Sequence, residues 1–110
     1  MFALLSLGVA DADEVTVPAG FRIDVFAENV GGARALAVDS EGVLFVSVTS
    51  RGRVLALPDR RGAGRATEVV TILEDLDRPY GLAFRRGHLY VAETGRIVRY
   101  RYHRVRYAPR

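Results

Sequence analysis

Four side chains stand out for the chemistry they could do in a shared binding site: Arg34, Arg51, Tyr80 and Glu93. Each sits beside a turn signal. Arg34 follows Gly31-Gly32, Arg51 precedes Gly52, Tyr80 follows Arg78-Pro79, and Glu93 precedes Thr94-Gly95. A guanidinium grips a carboxylate through two parallel hydrogen bonds, so an arginine in such a loop suits a carboxylated cofactor. Glu93 suits the orientation of a polar substrate or a cation. The plainer alternative makes Arg34 and Arg78 loop-surface residues and Glu93 a turn acid, with Pro79 serving the turn itself.

Other chemistries lack their residues. The chain has 110 residues and no cysteine, which excludes disulfides, zinc–thiolate sites and thiol catalysis. No Asp/Asn run has calcium-loop spacing, and the two histidines are not at ligand spacing. Asp11, Asp13 and Glu14 lie together but read as solvated residues near a cleavage site. Gly62-Ala63-Gly64 reads as a turn, because no helix follows to make a phosphate cradle. No nucleophile elbow, phosphate loop or dinucleotide fingerprint is present. His88 opens a β-rich run and His103 lies near the end, so neither is assigned a catalytic role, and no metal ligand is assigned.

The elements that must position the four candidates are strands. Apolar residues recur with period two at Phe21, Ile23 and Val25, a leading strand over Phe21–Ala27. Further β-rich runs cover Ala35–Asp39, Val43–Thr49, Arg53–Leu57 and Glu68–Leu73, then Gly81–Phe84, His88–Glu93 and Arg96–Tyr100. Gly-rich turns separate them, which predicts an all-β chain of hairpins.

Three blocks repeat in fixed order. Leu36-Ala37-Val38 matches Leu82-Ala83-Phe84, Leu44-Phe45-Val46 matches Leu89-Tyr90-Val91, and Gly52-Arg53-Val54 matches Gly95-Arg96-Ile97. The offsets are 46, 45 and 43 residues, and the drift falls in the turns. That period with four strands per unit is the spacing of β-propeller blades. The expected fold is a propeller fragment of about two four-stranded blades plus the leading strand. The fourth strand of the second blade would fall in the Arg/Tyr tail. The four candidates, with Gly31, Gly32 and Arg78, would then lie in loops at the axial mouth. Two blades leave open faces, so the chain is expected to be a fragment of a larger ring or to self-associate through those faces.

The strings PAGFRIDVFAENV, RALAVDSEGVLFVS and DLDRPYGLAFRRGHLYVAETGRIVRY resemble the N-terminal blades of the glucose/sorbosone dehydrogenase family. The resemblance covers Val17 to about Tyr100. It implies a six-bladed, exported propeller that oxidises a sugar or aldehyde with pyrroloquinoline quinone and calcium. The family's catalytic His and quinone-holding Arg and Lys lie in later blades and match no position here. The resemblance therefore implies an N-terminal fragment inactive alone. A non-catalytic NHL-like or self-assembling module binding a glycan or protein is the alternative.

The ends differ from the body. Met1–Ala10 is apolar and leads into Ala10-Asp11-Ala12, like the remnant of a signal peptide over residues 1–12, although the basic n-region is missing. It predicts a periplasmic or secreted location, and it is too short to span a bilayer. Residues 17–98 form the two-blade unit and 99–110 a basic, divergent tail. The net charge of +3 arises in that tail: residues 1–98 carry 11 Arg against 13 acids, residues 99–110 five Arg and no acid. All basic residues are Arg, with no Lys, a skew that reads as coding bias. The Arg and Tyr that alternate from Arg99 could grip a single nucleic-acid strand, but Arg99–Tyr102 also alternates as a strand does. The expected partner is a small sugar or aldehyde, not nucleic acid.

Overall fold

The computed structural model describes residues 15–102. The signal-like segment, Asp11, Asp13, Glu14, His103 and the expected fourth strand of the second blade lie outside the described residues.

Among the described residues seven strands form: β1 Ala33–Val38, β2 Leu44–Val48, β3 Arg53–Leu57, β4 Val70–Leu73, β5 Leu82–Arg85, β6 His88–Ala92 and β7 Ile97–Arg101. They make two antiparallel meanders, β1-β2-β3-β4 and β5-β6-β7, with no α-helix among the described residues. The chain is all-β and propeller-like, and its sheets do not close into a ring. No helix of the described residues is long and apolar enough to cross a membrane.

Local chemistry sets the hairpins. In the β1–β2 turn, Asp39 accepts the amides of Glu41 at 2.9 Å and Val43 at 2.8 Å through one carboxylate oxygen. A short side-chain acceptor that captures amides just downstream is a standard turn former. The β5–β6 turn is Arg86-Gly87, with φ of 48° and 78°. Two positive φ values suit the twist of a two-residue hairpin, and glycine adopts one of them without a Cβ clash.

β2 and β3 carry the core because both their faces are covered. Phe45, Val54 and Ala56 face the second sheet and meet Leu89 and Val91. Phe84 and Tyr102 close this layer, their rings 4.8 Å and 5.5 Å from that of Phe45 in edge-on geometry. Val46, Val48, Leu55 and Leu57 face the other way, under Phe26, Ala27, Val30 and Ala66. β1 lies beside β5, as the inner strands of neighbouring blades do. The small Ala35 and Ala37 of β1 allow that approach.

Phe21–Ala27 is not a strand. Phe26 and Ala27 instead lie across the outer face of the first sheet. The amide of Ala66 donates to the Phe26 carbonyl at 2.9 Å, and Arg65 donates to the Val25 carbonyl at 3.0 Å. Period-two alternation makes a strand only where a sheet edge offers a ladder. Here single hydrogen bonds pin the segment, and Phe21 stays 71% exposed.

The change of composition at Arg99 falls inside β7, which runs on to Arg101. Tyr100 and Tyr102 turn into the core layer while Arg99 and Arg101 are exposed. Over Arg99–Tyr102 the alternation is thus that of a strand with one buried face, with the aromatic rings turned away from solvent.

Candidate functional site

The loops at one end of the sheet junction enclose a shallow cleft of about 300 Å³ lined by Arg34, Thr49, Arg78, Tyr80 and Thr94. Two irregularities of the backbone place its cations. In the β1–β2 ladder Ala33 faces Val48 and Ala35 faces Ser47, so Arg34 is the extra residue of a bulge. A bulge re-aims the side chain it carries. Arg78 has φ of 54°, a left-handed conformation uncommon outside glycine and asparagine.

The loop that carries Arg78 and Tyr80 is fastened on both sides. Towards the first sheet, the Thr49 hydroxyl donates to the Pro79 carbonyl at 2.6 Å, and the Ser47 hydroxyl donates to the Tyr80 carbonyl at 2.7 Å. Towards the second, Tyr80 donates its amide to the Ala92 carbonyl at 2.9 Å, and Thr94 donates its own to the Asp77 carbonyl at 3.0 Å.

Glu93 completes the fastening. It is buried, accepting the Asp77 amide at 2.9 Å on one oxygen and Arg96 at 2.5 Å on the other. The Asp77 amide, then the Arg96 guanidinium, hold its carboxyl below the ordinary glutamate range. Arg96 is shifted upward by the same pair. With both oxygens engaged, Glu93 shapes the loop and does not line the cleft.

The sequence candidates therefore separate. Arg34 and Tyr80 meet in the cleft together with Arg78. Arg51 lines a different hollow of about 150 Å³, with Asn29, Val30, Gly31 and Arg53, on the side of the first sheet that carries Val48 and Leu55. Thr49 and Thr94 line the cleft and were not singled out in the sequence. Nor was Ser47, although a lone hydroxyl inside the apolar run Val43–Val48 is a signal of a buried hydrogen bond.

Arg34 and Arg78 have no ion-pair or hydrogen-bond partner among the described residues. Among the described residues no carboxylate lines the cleft, so two cations without an ion-pair partner meet a half-exposed phenol and two hydroxyls. Among the described residues no three His, Asp or Glu side chains gather as a ligand set. Two arginines repel a divalent cation, so the cleft does not fit calcium.

No protein-family model matches the chain, and no curated protein does. The chain's class therefore rests on its architecture: an all-β, propeller-like pair of sheets with a cationic cleft at their junction.

Proposed function

We propose that the chain is a two-blade portion of an exported propeller of the glucose/sorbosone dehydrogenase type, supplying scaffold and one wall of the axial mouth. The observation that supports this is the junction itself. Repeated sequence blocks form two sheets with their first strands, β1 and β5, side by side, and the loops at one end of that junction converge on a single cleft. Arg34, Arg78 and Tyr80 bind and orient a polar ligand there, while Ser47, Thr49 and Glu93 hold the wall in shape.

The reacting groups belong to other blades. Pyrroloquinoline quinone with calcium supplies hydride acceptance in such enzymes when bound. Among the described residues the cleft offers guanidiniums and hydroxyls and no imidazole, so no step through the quinone is assigned to these residues.

A chimera tests this reading. Replacing the first two blades of a glucose/sorbosone-type dehydrogenase with residues 15–102 should give a folded enzyme that still oxidises an aldose. The chain alone, given quinone, calcium and a dye acceptor, should be inert. Turnover by the chain alone would overturn the scaffold role, and a folded but dead chimera would overturn the family reading.

Exposed apolar residues on the outer faces favour a second reading, a self-assembling module that binds a glycan or protein. Leu36 is 63% and Val38 58% exposed on the first sheet, and Ile97 is 74% exposed on the second. It requires a discrete symmetric oligomer by light scattering, and a monomer removes it.

A further inference from the structure

We propose that the junction cleft is a carboxylate-binding site whose ligand is a sugar acid, a single pyranose ring carrying one carboxylate. The inference deepens the mouth-wall reading given above and uses the same cleft, but it does not require the dehydrogenase assignment.

The charge argument comes first. Arg34 reaches the cleft from β1 and Arg78 from the loop between β4 and β5, and neither has an acidic partner among the described residues. Two guanidiniums that line one cleft repel, and a negative group between them relieves that repulsion. The acid next to Arg78 in sequence, Asp77, forms no ion pair with it and does not line the cleft, and Glu93 is committed to the Asp77 amide and to Arg96. An anionic ligand is the group that completes the arrangement.

The build of the site adds to this. Arg34 is delivered by a bulge, and the amide of Ala35 beside it is satisfied at 3.2 Å by the Ser47 hydroxyl. The same hydroxyl fixes the Tyr80 carbonyl. One buried side chain therefore sets the positions of both walls. Such preorganisation lowers the ordering cost of binding.

The choice of anion follows from the donors. Phosphate sites typically use a fan of backbone amides or a helix N-terminus. Beside this cleft Pro79 has no amide hydrogen, and the amides of Tyr80 and Thr94 already donate to Ala92 and Asp77. Planar guanidiniums remain; they pair in bidentate fashion with a carboxylate or a phosphate alike, and the engaged amides of Tyr80 and Thr94 are what favours the carboxylate. The rest of the ligand is read from the other lining groups. Tyr80 is 47% exposed and presents an aromatic surface to a sugar ring, and the Thr49 and Thr94 hydroxyls meet its hydroxyls. A volume of about 300 Å³ is at the small end of ligand pockets and suits one ring.

The test is a titration of the full chain, followed by amide chemical shifts, with sodium D-glucuronate, D-glucose and glucose 1-phosphate. Glucuronate should bind at least about tenfold more tightly than glucose and than glucose 1-phosphate, a difference of about 1.4 kcal/mol. Shifts should centre on Arg34, Arg78 and Tyr80. Arg34→Ala and Arg78→Ala should each weaken glucuronate about tenfold or more, whereas Arg85→Ala, at the far end of β5, should leave it unchanged. Both cleft arginines are exposed, so these variants should keep the wild-type fold, checked by their remaining amide shifts. Equal affinity for glucuronate and glucose, tighter binding of glucose 1-phosphate, or an equal loss in Arg85→Ala would overturn the proposal. The chimera's turnover is a separate readout, so a failure of either idea leaves the other standing.

Discussion

The Ser47 hydroxyl donates to the carbonyl of Tyr80 at 2.7 Å across the junction of the two sheets, 33 residues away in sequence. It also accepts the Ala35 amide at the bulge that carries Arg34. Ser47→Ala removes both bonds and leaves a part-buried carbonyl and amide without that partner. The expected loss is about 1–3 kcal/mol, read from the urea midpoint. Because both cleft walls relax, sugar-acid affinity should fall as well, although Ser47 does not line the cleft. A variant with unchanged stability and affinity would show that the hydroxyl fixes neither wall.

Gly52 links the end of the 3-10 turn Thr49–Arg51 to the segment before the second sheet. Its φ is +65°, and a Cβ there would lie 2.6 Å from the Leu76 carbonyl oxygen, whose own residue donates its amide to the Gly52 carbonyl at 3.0 Å. Gly52→Ala should therefore cost more than the roughly 1 kcal/mol typical of a glycine with positive φ in open space, because backbone must move. The thermal midpoint of Gly52→Ala compared with Gly62→Ala measures this. Gly62 has a similar φ of +63° and nothing within 4 Å of a Cβ, so the difference isolates the steric part.

Phe45 is the centre of the layer between the sheets, wholly buried and edge-on to both Phe84 and Tyr102. Phe45→Ala should cost about 3–5 kcal/mol, a large share of the stability of a domain this small. Tyr102→Phe keeps the ring and loses only the hydroxyl that donates to Asp39. It should cost less, about 0.5–3 kcal/mol. A larger loss for Tyr102→Phe than for Phe45→Ala in denaturant unfolding would place the cohesion of the junction in the hydrogen bond and not in the aromatic layer.

Glu93 gives the fold a predictable acid response. Its carboxyl is held below the ordinary value, so the folded chain binds a proton there less readily than the unfolded chain does. The stabilisation is fully present above the unfolded glutamate range, near pH 4.3, and is lost as the pH falls through the depressed folded value. Asp59 adds in the same direction, since the Gly64 amide foremost, with those of Ala63, Arg61 and Gly62, favours its charged form. Glu93→Gln should flatten the pH dependence of the thermal midpoint between about pH 5 and pH 3, because the neutral amide no longer titrates. An unaltered slope would assign the acid sensitivity elsewhere.

The strands and their order were legible in the local pattern of the chain. Period-two alternation and glycine-rich turns marked all seven described strands to within one or two residues at each end. Arg53–Leu57 is the same range in both readings, while Glu68–Leu73 shortens to Val70–Leu73 because the ladder with β3 ends at the Ala56–Val70 pair. The repeat could also be read directly, since matched blocks need no partner to be seen. What depended on distant residues could not be read in this way. Phe21–Ala27 alternates like a strand, but no edge pairs with it.

The four candidate side chains looked alike in sequence, each beside a turn, and only the tertiary structure told them apart. The bulge at Arg34 and the left-handed Arg78 turned two arginines into one cleft with Tyr80. Arg51 fell on the other side of its sheet, and Glu93 was drawn into the loop by the Asp77 amide and Arg96. The physical reason is one of range. Strand formation is written in neighbours two residues apart, whereas the direction of a loop side chain is fixed by hydrogen bonds from the adjoining sheet, here those of Ser47 and Thr49 to Tyr80 and Pro79.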